Sequence, residues 1–211
     1  MRALFLFFII YFCNNLQITI LNFKNIKYDR PNRGSYMFRQ NWNYDPSKQK
    51  KSETIQHMHD CLGALQKEVS RGRIRAFGLS NESAWGTAQW LRASEDGHGP
   101  RVASIQNEYS LMCRMYDTDL AELSVNEDVG LLAFSPLATG LLTGKYAANA
   151  VPDGSRMSVS PELGGRNTGS AHLAAIAYME VARKHGLGVV ECALYAWWWV
   201  SLHAIRWKIH K

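Results

Sequence analysis

The chain alternates between helical and strand-like patterning. Ile55, Met58, Leu62, Leu65 and Val69 recur at spacings of three and four, which predicts an amphipathic helix with one apolar face. Ile74 to Leu79 is a short apolar run and predicts a strand ending in Ser80-Asn81. Helical spacing returns from Ser83 to Ala93 through Ala84, Ala88 and Leu91, and either Asn81 or Ser83 suits the N-cap. Val102 to Ile105 predicts a second strand, ending in Gln106-Asn107. Asp117 to Glu127 predicts a helix on Leu120 and Leu123, its start favoured by Asp117 and Asp119 through the helix dipole. Leu131 to Phe134 lacks polar alternation, as a strand covered on both faces does, and Pro136 stops it. A Gly-, Pro- and Ser-rich loop from Ser135 to Ser170 leads into a helix over Ala171 to His185, with Ala175, Tyr178 and Val181 on its apolar face and Gly186 as its C′ stop. This order implies an α/β fold with a parallel sheet and right-handed crossovers.

Each apolar run finishes in small polar side chains, at the strand edge where parallel α/β proteins seat ligands. Ser80, Asn81 and Gln106 combine donors and acceptors that suit a carboxamide, and Phe134 offers a flat face to a heterocycle. In GLLAFSPLATGLLTGK (Gly130 to Lys145), Gly140 and Gly144 permit positive φ and Lys145 supplies a cation, so the loop could seat a phosphate. A plain strand-to-helix connection that binds nothing is the alternative on these residues alone.

Four longer strings carry a family resemblance: RGSYMFRQNW (Arg33 to Trp42), GRIRAFGLSNESAWG (Gly72 to Gly86), RVASIQNEYSL (Arg101 to Leu111) and AFSPLATGLLTGKY (Ala133 to Tyr146). From Pro31 to about Ala196 the chain resembles the second half of an aldo/keto reductase, in the Tas-like branch related to potassium-channel β subunits. The resemblance implies a partial (β/α)8 barrel, roughly strands 5–7 with their helices, and a family chemistry of hydride transfer between NADP(H) and a carbonyl or alcohol. It further implies that Ser80, Asn81 and Gln106 contact the nicotinamide carboxamide and that Phe134 stacks under the ring. Ser135, Pro136, Leu137 and Ala138 would line the pyrophosphate, Lys145 would reach the phosphates, and Arg156 would approach the adenosine end, where its planar fork suits a 2′-phosphate.

The family's catalytic Asp, Tyr, Lys and His find no match. Asp29, in Asp29-Arg30-Pro31, stands where the resemblance calls for the His, and a carboxylate cannot donate the N–H bond a carbonyl needs. No catalytic residue is therefore assigned, and the chain is expected to be inactive alone. A non-catalytic cofactor-binding or interaction module, or a degenerate gene fragment, is the alternative.

Composition changes abruptly at both ends of the matching region. Residues 1–30 form an apolar, Asn-rich leader, 31–197 the partial barrel, and 198–211 a Trp-rich basic tail. Ala3 to Phe12 has the length of a signal-peptide core and falls short of the roughly 20 residues that span a bilayer. A replaced or misjoined leader fits better, and the expected location is cytoplasmic. The sequence of 211 residues carries +6 formal charge, but its basic residues are dispersed, and a phosphate-rich cofactor accounts for them without a nucleic acid. Complete barrels of this kind take about 250 residues, and three strands cannot close one. Cys13, Cys61, Cys113 and Cys192 contain no C-x-x-C pair, and His57 and His59 point apart on a helix, so no metal site is expected. Trp85 and Trp90, and Met112, Met115 and Tyr116, read as packing residues.

Overall fold

The computed structural model describes residues 50–196 in full, together with the backbones of two strands, β1 (Phe8–Cys13) and β2 (Leu16–Leu21). In chain order there follow α1 (Lys51–Ser70), β3 (Ala76–Ser80), α2 (Ala84–Glu95), β4 (Val102–Glu108), α3 (Asp119–Asn126), β5 (Gly130–Phe134), a short α4 (Arg156–Val159) and α5 (Gly169–Lys184). A further helix begins at residue 189. The strands form one sheet in the order β1-β2-β3-β4-β5, antiparallel between β1 and β2, and parallel from β2 to β3 and from β3 to β4. This is the α/β arrangement that the helix–strand alternation predicts, with a partial sheet.

Within the apolar leader, residues 8–13 and 16–21 are paired strands, and β2 lies alongside β3. Phe, Ile and Tyr dominate these segments, residue types that suit a pleated surface. Asp29, the strings around Arg33 to Trp42 and the basic tail lie outside the described residues.

The described residues divide into two compact units. In the first, holding residues 50–107 and 119–132, α1 buries Met58, Leu62 and Leu65, the centre of its predicted stripe. β3 buries Phe77, Gly78 and Leu79. Gly78 has to be glycine, because a Cβ there would fall 2.5 Å from Ser104 Oγ on β4, beside the register shift between Phe77 and Gly78.

The buried face of α2 is rotated from the predicted one. It covers Gly86, Thr87, Trp90, Leu91 and Ala93, while Ala84 and Ala88 are half-buried. Trp90 drives the rotation: it is fully buried, meets Phe77 edge-on, and donates from Nε1 to Glu82 Oε2 at 3.4 Å. Gly86 leaves room for that carboxylate, since a Cβ would come within 2.2 Å of Glu82 Oε1. Ser83 is the N-cap, accepting from Gly86 N at 3.1 Å. α3 starts two residues later than predicted because Asp117 belongs to a 3-10 turn, and it buries Leu120 and Ser124. β5 buries only Leu131, so it is not covered on both faces; with β1 it is one of the two edge strands of the described sheet.

The second unit holds residues 108–118 and 133–196. Its core is Ala138, Leu141, Leu142, Tyr146, Met157, Leu163 and Ala193. α5 buries Ala175 and Ala182, and Tyr178 lies half-buried with its hydroxyl donating to Leu111 O at 2.9 Å, whereas Val181 is exposed, contrary to its predicted place. Thr168 caps α5, and Gly186, at φ 65°, follows its end as predicted. No helix among the described residues is long and apolar enough to cross a membrane.

Candidate functional site

The expected contact residues fall into two groups, one in each unit. In the first unit, Ser80 closes β3 and is in register with Gln106 on β4. Asn81 follows in the left-handed region at φ 54°, which asparagine tolerates better than most residues, and its N–H donates to Gln106 O at 2.9 Å. Its side-chain amide donates to Ser80 Oγ at 3.2 Å. The three side chains are half-buried, so a cluster of amide and hydroxyl groups stands at the carboxyl ends of two parallel strands. One residue on, Asn107 is fully buried; its Nδ2 donates to Glu82 O at 3.1 Å and fixes the turn into α2.

In the second unit, Phe134 ends β5 and accepts at its carbonyl from Tyr109 N. The backbone then leaves the extended region. Ser135, Ala138 and Thr139 take φ values of 55°, 48° and 57°, and Gly140 takes 101°. Left-handed non-glycine residues cost about 1–3 kcal/mol each and persist where the surroundings impose them. Here burial of Ala138, Leu141 and Leu142 pins the loop to the core from below. Ala138 N donates to Ser135 O at 2.8 Å and Gly140 N to Leu137 O at 2.9 Å, so the loop is internally tied. Pro136 and Leu137 occupy its first turn, half-buried.

Lys145 lies across this loop. A Cβ on Gly140 would fall 2.7 Å from Lys145 Cε and 3.1 Å from Nζ, so the missing side chain is what admits the ammonium to the backbone. Nζ also stands 5.2 Å from the centre of the Tyr146 ring. The ammonium faces the ring, while the buried Tyr146 hydroxyl accepts from Met157 N at 3.2 Å. The same bond ties α4 to the loop. Arg156 is the first residue of α4, exposed, behind the N-cap Ser155. Among the described residues no carboxylate pairs with Lys145 or Arg156.

Two residues that the sequence reading missed support the arrangement. Glu108 at the end of β4 is 2% exposed and is held by Arg166 through Nε at 2.6 Å and through Nη2. Arg166 also donates to Leu163 O at 3.0 Å, joining the residue pair to the core that carries the loop. The Glu108 bond raises the Arg166 pKa further. Their separation of 58 positions leaves no local signal of the pairing. Thr139 is the other, its left-handed backbone unannounced by a glycine.

Burial, with Asp117 nearby, pushes the Tyr109 hydroxyl up to about 12, and burial, with Glu108 nearby, pushes the Cys113 thiol up to about 11. Neither group ionises near neutrality. Among the described residues no cluster of three or more His, Cys, Asp or Glu side chains could hold a metal.

Helices alternating with the strands of a largely parallel sheet define an α/β protein. The family is identified by comparison: the model of the aldo/keto reductase family matches residues 22–200, and the chain belongs to that family. The match begins ahead of the strings that first carried the resemblance. The chain is 40% identical over 135 residues to Protein tas of Escherichia coli (strain K12), covering 64% of this chain and 39% of that protein. It is 42% identical over 109 residues to a probable voltage-gated potassium channel subunit beta of Arabidopsis thaliana, covering 48% of this chain and 31% of the other. A glycerol dehydrogenase structure from Gluconobacter oxydans aligns with a TM-score of 0.49 at 25% identity, covering 71% of this chain and 41% of that one. The chain thus spans about two fifths of the length of Protein tas. Its family is one of NAD(P)-dependent oxidoreductases.

Proposed function

We propose that this chain is the cofactor-holding part of an NADP-dependent aldo/keto reductase, binding NADP(H) without reducing a carbonyl on its own. The observation that carries the reading is the Ser135–Lys145 loop, where five residues take positive φ and the Lys145 ammonium, paired with no carboxylate among the described residues, lies over Gly140. A cation held beside a small-residue loop suits a phosphate group. Lys145 would neutralise the pyrophosphate, and the guanidinium of Arg156 would take the 2′-phosphate. Ser80, Asn81 and Gln106 would hold the carboxamide, and Phe134 would support the ring face.

Bound there, the cofactor would supply a hydride. The reading assigns no partner for the proton, because the resemblance gives the catalytic Asp, Tyr, Lys and His no match in this sequence and puts Asp29 where the His is expected. Among the described residues, Tyr109 and Tyr146 are poor replacements for the acid because both are buried, and burial makes the Tyr109 hydroxyl a weaker acid still. Calorimetric titration with NADPH and NADH, followed by a carbonyl-reduction assay, tests the reading. Saturable NADPH binding stronger than NADH binding, without turnover, supports it. Turnover would show that the acid is present after all, and failure to bind either nucleotide would remove the cofactor role.

A further inference from the structure

Outside the loop and strand ends, the chain holds two Asp-Gly steps, Asp96-Gly97 and Asp153-Gly154. At such a step the aspartate carboxyl can reach the next backbone nitrogen, because glycine puts no Cβ in its way. All four residues are exposed, and a Cβ added to either glycine would meet no atom within 4 Å. What separates the two steps is the glycine nitrogen. Gly97 N is committed to the end of α2, donating to Ser94 O at 3.0 Å. Gly154 N donates to no group among the described residues, since the turn around it is closed one residue later, by Ser155 N on Pro152 O at 3.1 Å. The Asp153 carboxyl likewise has no hydrogen bond or ion pair among the described residues, so neither reacting group is held away from the other.

We propose that Asp153-Gly154 is a site of backbone modification through a succinimide, independent of the cofactor reading. Gly154 N attacks Asp153 Cγ of the neutral carboxylic acid; the C–N bond forms, the bond from Cγ to its hydroxyl breaks, and the hydroxyl leaves with the amide proton as water. A solvent water then adds to the main-chain carbonyl carbon of Asp153. The bond from that carbon to Gly154 N breaks and the nitrogen takes a proton back. The chain now runs through Cβ and Cγ as isoaspartate, one carbon longer, with a free carboxyl on Cα. The added carbon falls inside the turn that Ser155 N closes on Pro152 O. Ser155 is buried and caps α4 by accepting from Ser158 N at 3.4 Å, so the modification loosens that cap.

The test incubates the full native chain at mildly acidic pH and, in parallel, the same chain unfolded in guanidinium chloride. Peptide mass spectrometry with electron-transfer fragmentation, which tells isoaspartate from aspartate, follows both sites with time. In the native chain Asp153 is expected to convert about five- to tenfold faster than Asp96, the factor set by the one backbone hydrogen bond that Gly97 N has to break first. In the unfolded chain, where neither nitrogen is engaged, the difference disappears. Conversion of Asp153 no faster than Asp96 in the native chain overturns the proposal. So does a difference of the same size in the unfolded chain, because it then comes from the neighbouring residues and not from the free nitrogen in the folded turn.

Discussion

Gly140→Ala places a methyl group where Lys145 now crosses the loop. The backbone at φ 101° lies outside the ordinary left-handed well, so alanine there costs about 1–3 kcal/mol. That corresponds to a fall of roughly 2–12 °C in thermal midpoint for a domain of this size. The new Cβ would stand 2.7 Å from Lys145 Cε and 3.2 Å from Tyr146 Cε2. Tyr146 is fixed in the core, whereas the lysine has the rotamers to leave, so the ammonium is the group displaced. Losing one charged hydrogen bond to a phosphate, about 1.5–3 kcal/mol, weakens NADPH binding roughly ten- to hundredfold. Calorimetric titration and a thermal melt read both effects. Gly186→Ala is the control, since its φ is 65° and no atom lies within 4 Å of the added Cβ; it lowers the melt and leaves the affinity alone. An unchanged affinity in Gly140→Ala, or an equal loss in the control, refutes the reasoning.

Arg166→Met leaves the Glu108 carboxylate buried without its cation, and the cost is about 3–5 kcal/mol by urea titration. Adding Glu108→Gln to that variant returns part of the loss, because the uncompensated charge is gone. Ser83→Ala removes the cap on α2 and lowers stability by about 1 kcal/mol in the same titration. Tyr109 has a folded pKa of about 12 against an ordinary value of 10, so the folded state binds its proton more tightly. Its contribution is complete below pH 10 and is lost as pH rises from 10 towards 12; Tyr109→Phe flattens the stability profile in that window.

Much of this fold is legible locally. The 3.6-residue spacing of Met58, Leu62 and Leu65 and the apolar runs at β3, β4 and β5 mark their elements directly. Ser83 as cap and Gly186 as stop are chosen by side-chain chemistry within a few residues, which is why they can be read. The buried face of α2 is not readable in this way, because Trp90 turns it by packing on Phe77 and bonding to Glu82. Val181 follows the helical period yet stays exposed, since a period does not say how wide the covered stripe is. α4 has four residues, too few for a period to show.

The candidate site divides in the same way. Gly140 and Lys145 are announced by their residue types, and the sequence order of Ser80, Asn81 and Gln106 follows from strand ends. The left-handed backbones of Ser135, Ala138 and Thr139 are imposed by the buried Ala138, Leu141 and Leu142, so no residue type reveals them. The Glu108–Arg166 pair exists only because the fold joins distant positions.

The central claim is that the loop under Lys145 binds a phosphate-bearing nicotinamide cofactor. Titration of the whole chain with NADPH, read by quenching of tryptophan fluorescence and repeated on Lys145→Ala, tests it most directly. The expected result is saturable quenching that weakens at least about tenfold in the variant. A wild-type chain that shows no saturable quenching, or a variant that binds as tightly as the wild type, contradicts it.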